Sequence, residues 1–328
     1  MTDTGQRPMF SVVIPVHNKG PLLAEALASV ATQIHRDFEV LVVDDASDDD
    51  GLTAIHAFPS LPIRCLHRST PGPAGYAARN LGIREARGRW IAFLDADDLW
   101  FPEHLSTAAG WIARYPEAGV YCSGFEEHMG GAVKTISVLV SRCLAANAFL
   151  ALYARSDLIH TNSLVIQREL LLACGGFPEW GARRGGDHAL WFRCVLQGSP
   201  VILAGQVTSR YRRDHSEVVR DPMTMTGAHP VCRVAEDALT GRLRLPPTWG
   251  KQEEHWIRQL ANRKALHWML QRKRVGLLPP AARSLPYPAD LSPRNQLRWL
   301  IVSRMPVVWL RALYAVQAWR QAIRQRLC

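Results

Sequence analysis

Two short apolar runs frame the first part of the chain, Phe10–Pro15 (FSVVIP) and Phe38–Val43 (FEVLVV), both nearly continuous and rich in Val. Strands buried on both faces read this way, whereas half-exposed strands alternate with polar residues, so these runs predict parallel strands. Between them Leu22, Leu23, Ala26, Leu27 and Val30 recur at helical spacing, and Pro21 suits a first turn, which predicts a helix over 21–31. The same reading predicts strands over 63–67 and 90–94, and helices over 74–87 and 102–115. Strand and helix alternate through residues 1–120 or so, the signature of a doubly wound, mostly parallel α/β sheet. Beyond Val140 the alternation weakens to a strand at Ser163–Ile166 and a short helix at Arg168–Cys174. A further helix is expected over 187–197, with Asp187 as its N-cap, and proline-rich breaks after residue 244 cut the remainder into helical pieces.

Polar residues interrupt this pattern most sharply where strands end. Ligands of open α/β sheets bind beyond the carboxyl ends of the strands, and acidic groups stand there: Asp44-Asp45 after the second run, Asp95, Asp97 and Asp98 after the fourth. Neighbouring carboxylates repel one another and resist desolvation. A hard cation such as Mg²⁺ or Mn²⁺ held by Asp95 and Asp97 offsets that repulsion; the plainer alternative is a solvated loop in which Asp97 or Asp98 caps the next helix. Asp44 and Asp45 are placed to accept from a nucleobase or a ribose, while Asp48 to Asp50 read as solvated helix-start residues. In "TPGPAGYAARNLGI" (70–83), Gly and Pro shape a loop into a helix, and Arg79 on that helix suits a phosphate. The chain has neither the Gly-x-Gly-x-x-Gly dinucleotide fingerprint nor a Lys-bearing phosphate loop.

Taken in order, "SVVIPVHNKGPLLAEALASVATQ", "FEVLVVDDASDD", "ARNLGIREARGRWIAFLDADDLWFPEHL" and "LLLACGGFPE" resemble family 2 glycosyltransferases, the inverting type with the GT-A, Rossmann-like fold, over residues 9–217. The resemblance implies a metal-dependent enzyme of hexosyltransferase type. It would move a sugar from a nucleoside-diphosphate sugar, UDP-linked, to an acceptor hydroxyl in cell-surface polysaccharide or glycolipid synthesis. Pro15, His17, Asp45 and Arg79 would line the nucleotide site with Asp44 beside them. Asp95 and Asp97 would be the Asp-x-Asp metal motif, with Asp97 the direct ligand and Asp95 also facing the donor. The family's later acidic pair is reduced here to Gly186-Asp187, in "GGDHALWFRCV", leaving Asp187 as the general base without its acidic neighbour. The family's Arg-x-His element becomes "YRRDHSE": Arg213 is assigned to the pyrophosphate and His215 to the metal or pyrophosphate. His160 falls where the family places an acceptor-side loop. The missing acid keeps open a second reading, a nucleotide-sugar-binding scaffold with impaired catalysis. A nucleotidyltransferase is a third, although its glycine-rich basic loop is absent.

Charge divides the chain further. The net charge is +10, yet residues 241–328 alone hold 17 Lys and Arg against 3 Asp and Glu. We therefore expect a catalytic domain over 1–240, with a donor half at 9–125 and an acceptor half at 126–240, followed by a basic, Trp- and Arg-rich helical extension over 241–328. The segment 294–328 carries seven Arg and no acid. Trp309, Leu313, Val316, Ile323 and Leu327 there approximate an amphipathic stripe, which suits either an anionic membrane surface and a lipid-linked acceptor or packing on the body. No nucleic-acid module accompanies the basic patch, so nucleic acid is not an expected partner. Seven scattered cysteines without a Cys-x-x-Cys pair point to a reducing, cytoplasmic setting. The N-terminus shows no signal peptide, and no apolar run reaches the ~18 residues of a membrane span.

Overall fold

The computed structural model describes residues 7–216, 221–225, 227–275, 285–291 and 293–304. It begins β1 (Phe10–Val16), α1 (Gly20–Ala31), β2 (Phe38–Asp45), β3 (Ile63–Arg68), α2 (Tyr76–Glu85), β4 (Trp90–Phe93), β5 (Leu99–Trp100) and α3 (His104–Arg114). It continues β6 (Val120–Met129), β7 (Ala132–Ile136), β8 (Arg142–Leu144), α4 (Ala146–Tyr153), β9 (Leu164–Gln167), α5 (Arg168–Ala173), α6 (Gly186–Leu196) and β10 (Val201–Arg212). Three further helices follow at Pro230–Leu239, Lys251–Arg274 and Pro293–Arg304.

The ten strands among the described residues join one sheet, ordered β3-β2-β1-β4-β9-β6-β10-β5, with β7 on β6 and β8 on β10. β1, β2, β3 and β4 pair in parallel, as does β6 with β10, but β9 runs antiparallel between β4 and β6. The sheet is mixed, with its parallel half at the N-terminal side.

Alternation along β1 shows why the apolar runs are continuous. Val12 and Ile14 pack on α1 and α3 on one face, Val13 packs on the opposite face, and all three are wholly buried. Helix α2 starts later than its composition predicts because Ala74 (φ 55°) and Gly75 (φ 65°) lie in the left-handed region, which a helix cannot include. Ala74 pays a small strain for turning its carbonyl toward Arg79 Nη1, 2.8 Å away.

The chain after residue 240 does not stand apart. The Lys251–Arg274 helix buries Ile257, Leu260, Ala261 and Leu266, and its Arg263 donates to the carbonyls of Tyr153 and Ala154 at the end of α4. Packing on the body is therefore what this part of the basic segment does. Of the stretch 294–328, read above as suiting either a membrane surface or the body, residues 305–328, with Trp309, Leu313, Val316, Ile323 and Leu327, lie outside the described residues. In the last described helix Leu297 and Leu300 are exposed. No described helix is long and apolar enough to cross a membrane.

Candidate active site

Two adjoining cavities open at the carboxyl ends of the parallel strands and share a wall made of Ala74, Arg79, Asp95, Asp97 and Ser216. The first, of about 480 Å³, gathers Pro15, His17, Asp45, Arg79, Asp95 and Asp97. The second, of about 500 Å³, adds Asp187, His188, Arg213 and His160 to that shared wall. The strand-end cavity draws on the N-terminal half together with Arg183, Ser216, Asp221 and Thr224, and the deeper one draws mostly on later elements.

Asp45 ends β2 almost completely buried, accepting from the Arg68 guanidinium and from the Gly72 N–H at 3.1 and 3.2 Å. These bonds tie the 70–75 loop to the strand end. Asp44, one residue earlier on a pleated strand, points the other way: it accepts from Ser47 N–H (3.0 Å), faces His67 (3.3 Å) and stays out of both cavities. Burial works against its ionisation, yet the Ser47 and His67 contacts hold it below the ordinary carboxylate range. The structure thus splits a pair that the sequence treats as one. His17 donates from Nδ1 to the Asp45 carbonyl (2.9 Å), which leaves Nε2 for a ligand.

The carboxylates of Asp95, Asp97 and Asp98 converge so that one oxygen from each lies within 4.8 Å of the others. They are not equivalent. Asp98 is wholly buried and engaged by Asn162 Nδ2 (3.0 Å) and the Arg212 N–H (2.8 Å), so it fastens the turn to β10. It caps no helix, since α3 begins only at His104. Asp95 meets the Arg79 guanidinium, and Asp97 lies 3.5 Å from Lys19 Nζ. Burial and then the charge of Asp95 push Asp97 up, against the pull of Lys19; burial and both neighbours push Asp98 well up. Oxygen donors crowded against their own repulsion and opening into both cavities fit a hard divalent cation. Asp95 and Asp97 would hold it, with Asp98 bracing the turn. His215 is not brought to this group: its exposed side chain lines a separate groove with His128 and Arg210.

Asp187 lies in the first turn of α6, where the helix dipole favours a carboxylate, but it is not the N-cap. Gly185 (φ 77°) takes that place, because its left-handed backbone turns the chain into the helix while Asp187 Oδ1 accepts from the next N–H, His188, at 2.8 Å. The absence of an acid at position 186 also has a steric cause. A Cβ on Gly186 meets Tyr76 Cε2 at 2.6 Å and Pro178 Cγ at 2.7 Å, and the Gly186 N–H donates to the Tyr76 hydroxyl at 2.9 Å.

Behind the carboxylate lies a network that no motif announces. Lys264, only 3 % exposed, donates to Asp157 (2.7 Å) and sits 3.0 Å from both ring nitrogens of His188, whose Nδ1 also meets the Tyr153 hydroxyl at 2.7 Å. Burial lowers Lys264 to about 8 and His188 to about 4, so near pH 7 the lysine is mostly charged and the imidazole neutral. For Asp187, burial opposes ionisation; charge on His188, the His188 N–H, Lys264 and His160 outweigh it and hold the carboxyl below its ordinary range. With His188 neutral, Lys264 supplies the lasting part of that field. Lys264→Met therefore raises the pKa of Asp187, and the acid limb of the activity–pH profile moves to higher pH while alkaline activity persists. A profile that keeps its acid limb in place contradicts this role.

Arg213 donates to Glu127 (2.6 Å) on the wall of the second cavity. His160 stacks on Tyr211 with centroids 3.9 Å apart and binds Asn162 Oδ1 at 2.7 Å, which locks it as a wall element.

Comparison with known proteins agrees with this architecture. Residues 11–163 match the Glycosyl transferase family 2 profile. Succinoglycan biosynthesis protein ExoW of Rhizobium meliloti is 30% identical over 260 residues, spanning 73% of this chain and 80% of its own length. The chain belongs to glycosyltransferase family 2. An uncharacterized glycosyltransferase of Rickettsia conorii is 47% identical over 98 residues, and there this family 2 chain matches 16% of the relative's length. Among solved structures, S. aureus TarS 1-349 in complex with UDP-GlcNAc superposes with a TM-score of 0.66 at 17% identity, over 94% of this chain and 92% of that one. The mannosyltransferase PcManGT from Pyrobaculum calidifontis, in complex with GDP-Man and Mn²⁺, gives 0.56 at 21% identity, over 93% and 88%. At such identities the likeness concerns the fold, which is that of GT-A glycosyltransferases.

Proposed function

We propose that this family 2 chain is an inverting glycosyltransferase that moves a sugar from a nucleoside-diphosphate sugar, of the UDP type, to a hydroxyl of a carbohydrate or lipid-linked acceptor. The observation that carries the reading is the shared wall: Asp95, Asp97 and Arg79 border both cavities, while Asp187 borders only the second. A donor whose nucleotide lies along Pro15, His17 and Asp45 places its diphosphate at that wall. Its sugar then projects toward Asp187.

A divalent cation on Asp95 and Asp97 would neutralise the charge that gathers on the departing diphosphate. Arg79, buried and fixed by the Ala74 carbonyl, adds a positioned positive charge on the same side. Asp187 takes the proton of the acceptor hydroxyl as it attacks the anomeric carbon from the opposite face. One displacement of this kind inverts the configuration and needs no covalent intermediate. ExoW carries succinoglycan biosynthesis in its name and TarS holds UDP-GlcNAc, which supports a UDP-linked donor and a surface polysaccharide or glycolipid product.

The direct test is nucleoside diphosphate release from a panel of UDP- and GDP-linked sugars with Mn²⁺. Metal-dependent release from donors of one base class is expected. No release from any donor, with or without added acceptor sugars, supports the scaffold reading instead.

A further inference from the structure

Among the described residues, the Lys and Arg side chains around the second cavity are matched to acids with one exception. Arg79 meets Asp95, Arg213 and Lys134 both meet Glu127, and Lys264 meets Asp157. Arg184 borders the same cavity half-buried, and among the described residues no ion pair or hydrogen bond involves it. Burial and then the like charge of Arg213 hold its guanidinium below its ordinary value, against the pull of Tyr211 and Asp187, with neither of which it forms an ion pair. Leaving a guanidinium half-buried beside a second cation costs free energy unless an anion completes the site.

The loop that carries it sets its two arginines against different large cavities, and both also border a third of about 290 Å³. Gly181 (φ 90°) and Gly185 (φ 77°) bend the chain on either side of Ala182-Arg183-Arg184. Arg183 borders the strand-end cavity and Arg184 the deeper one. Arg184 does not border the strand-end cavity, where the nucleotide is placed above. The donor diphosphate is placed at the wall of Arg79, Asp95 and Asp97, to which Arg184 does not belong, so the anion that it faces is assigned to the acceptor.

We propose that Arg184 forms an oxyanion subsite, flanked by Arg213 on its Glu127 partner, that takes a carboxylate or phosphate substituent of the acceptor saccharide. The planar fork of a guanidinium matches both groups through paired N–H donors. The subsite rests on the reading of the deeper cavity as the acceptor half. It narrows the acceptor class to acidic sugars or sugar phosphates, and it gives the Arg-Arg loop before the base a selective purpose.

NMR-followed titrations of the full chain and of Arg184→Gln with glucuronate, glucose 6-phosphate and glucose test it, with UDP plus Mn²⁺ as a parallel ligand. In the wild type at least one charged sugar should bind about tenfold more tightly than glucose, the scale of a charge-assisted bond pair. In Arg184→Gln that preference should fall to within about twofold while UDP affinity stays unchanged, which also shows that the variant is folded. Equal binding of charged and neutral sugars, or no binding of either charged sugar, overturns the subsite. Parallel loss of UDP affinity in Arg184→Gln assigns the arginine to the donor diphosphate and overturns it too. Failure of wild-type UDP binding instead strikes the donor reading, since the sugar preference is measured without it.

Discussion

Asp187→Asn keeps donor and Mn²⁺ binding at the wild-type level and lowers sugar transfer by ~10²–10⁴-fold, the usual worth of a positioned general base. The exchange is close to isosteric, so the contact of position 187 with the His188 N–H survives through the amide oxygen. What disappears is the basic oxygen facing the cavity, together with the negative charge that Lys264 and the helix dipole stabilise. The expected signature is a fall in kcat at nearly constant donor KM, because the lost interaction develops only as the hydroxyl gives up its proton. Single-turnover kinetics with a donor fixed by the panel would check it. Turnover within a few-fold of wild type removes Asp187 as the base and transfers attention to His188 or His160, the neighbouring imidazoles on the same wall.

The strand-end cavity was readable in the sequence because it depends on local facts. Apolar runs ending in acids put Asp45, Asp95 and Asp97 at strand ends, and a parallel sheet puts strand ends together. Asp187 was singled out only by the resemblance to the family's later acidic pair, since its place before a helical stripe reads by itself as an N-cap. Two details were lost at the same level of resolution. The pleat that turns Asp44 away from Asp45 is invisible in a run of two acids, and nothing in "YRRDHSE" shows that its histidine faces a different groove from Arg213.

The second cavity was poorly legible for another reason: its members are far apart in the chain and owe their places to packing. Tyr76 shares no motif with Gly186, Asp157 none with Lys264. One signal existed for the lysine. Ile257, Leu260, Ala261, Ala265 and Trp268 form the buried stripe of the Lys251–Arg274 helix, and Lys264 falls within it at helical spacing. A cation inside an apolar stripe either snorkels or meets a buried partner; here Asp157 is that partner. Reading the whole segment as a charged extension concealed the stripe.

The second large effect concerns the metal pair. Asp97→Asn removes one of the two carboxylates that border both cavities and leaves Asp98 to its structural bonds with Asn162 and Arg212. An amide is a weaker ligand for a hard cation, and charge neutralisation of the diphosphate is worth several kcal/mol, so Mn²⁺-dependent UDP affinity should fall by about 10²-fold. The fold should survive, because Asp97 is pushed up by burial and Asp95 and loses repulsion on substitution.

Calorimetric titration of UDP into the wild type and into Asp97→Asn, each with Mn²⁺ and again with EDTA, tests the central claim most directly. Tight binding is expected only in the wild type with Mn²⁺, and weak, metal-insensitive binding in the other three titrations. Equal UDP affinity in all four, or no binding by the wild type with Mn²⁺, contradicts it.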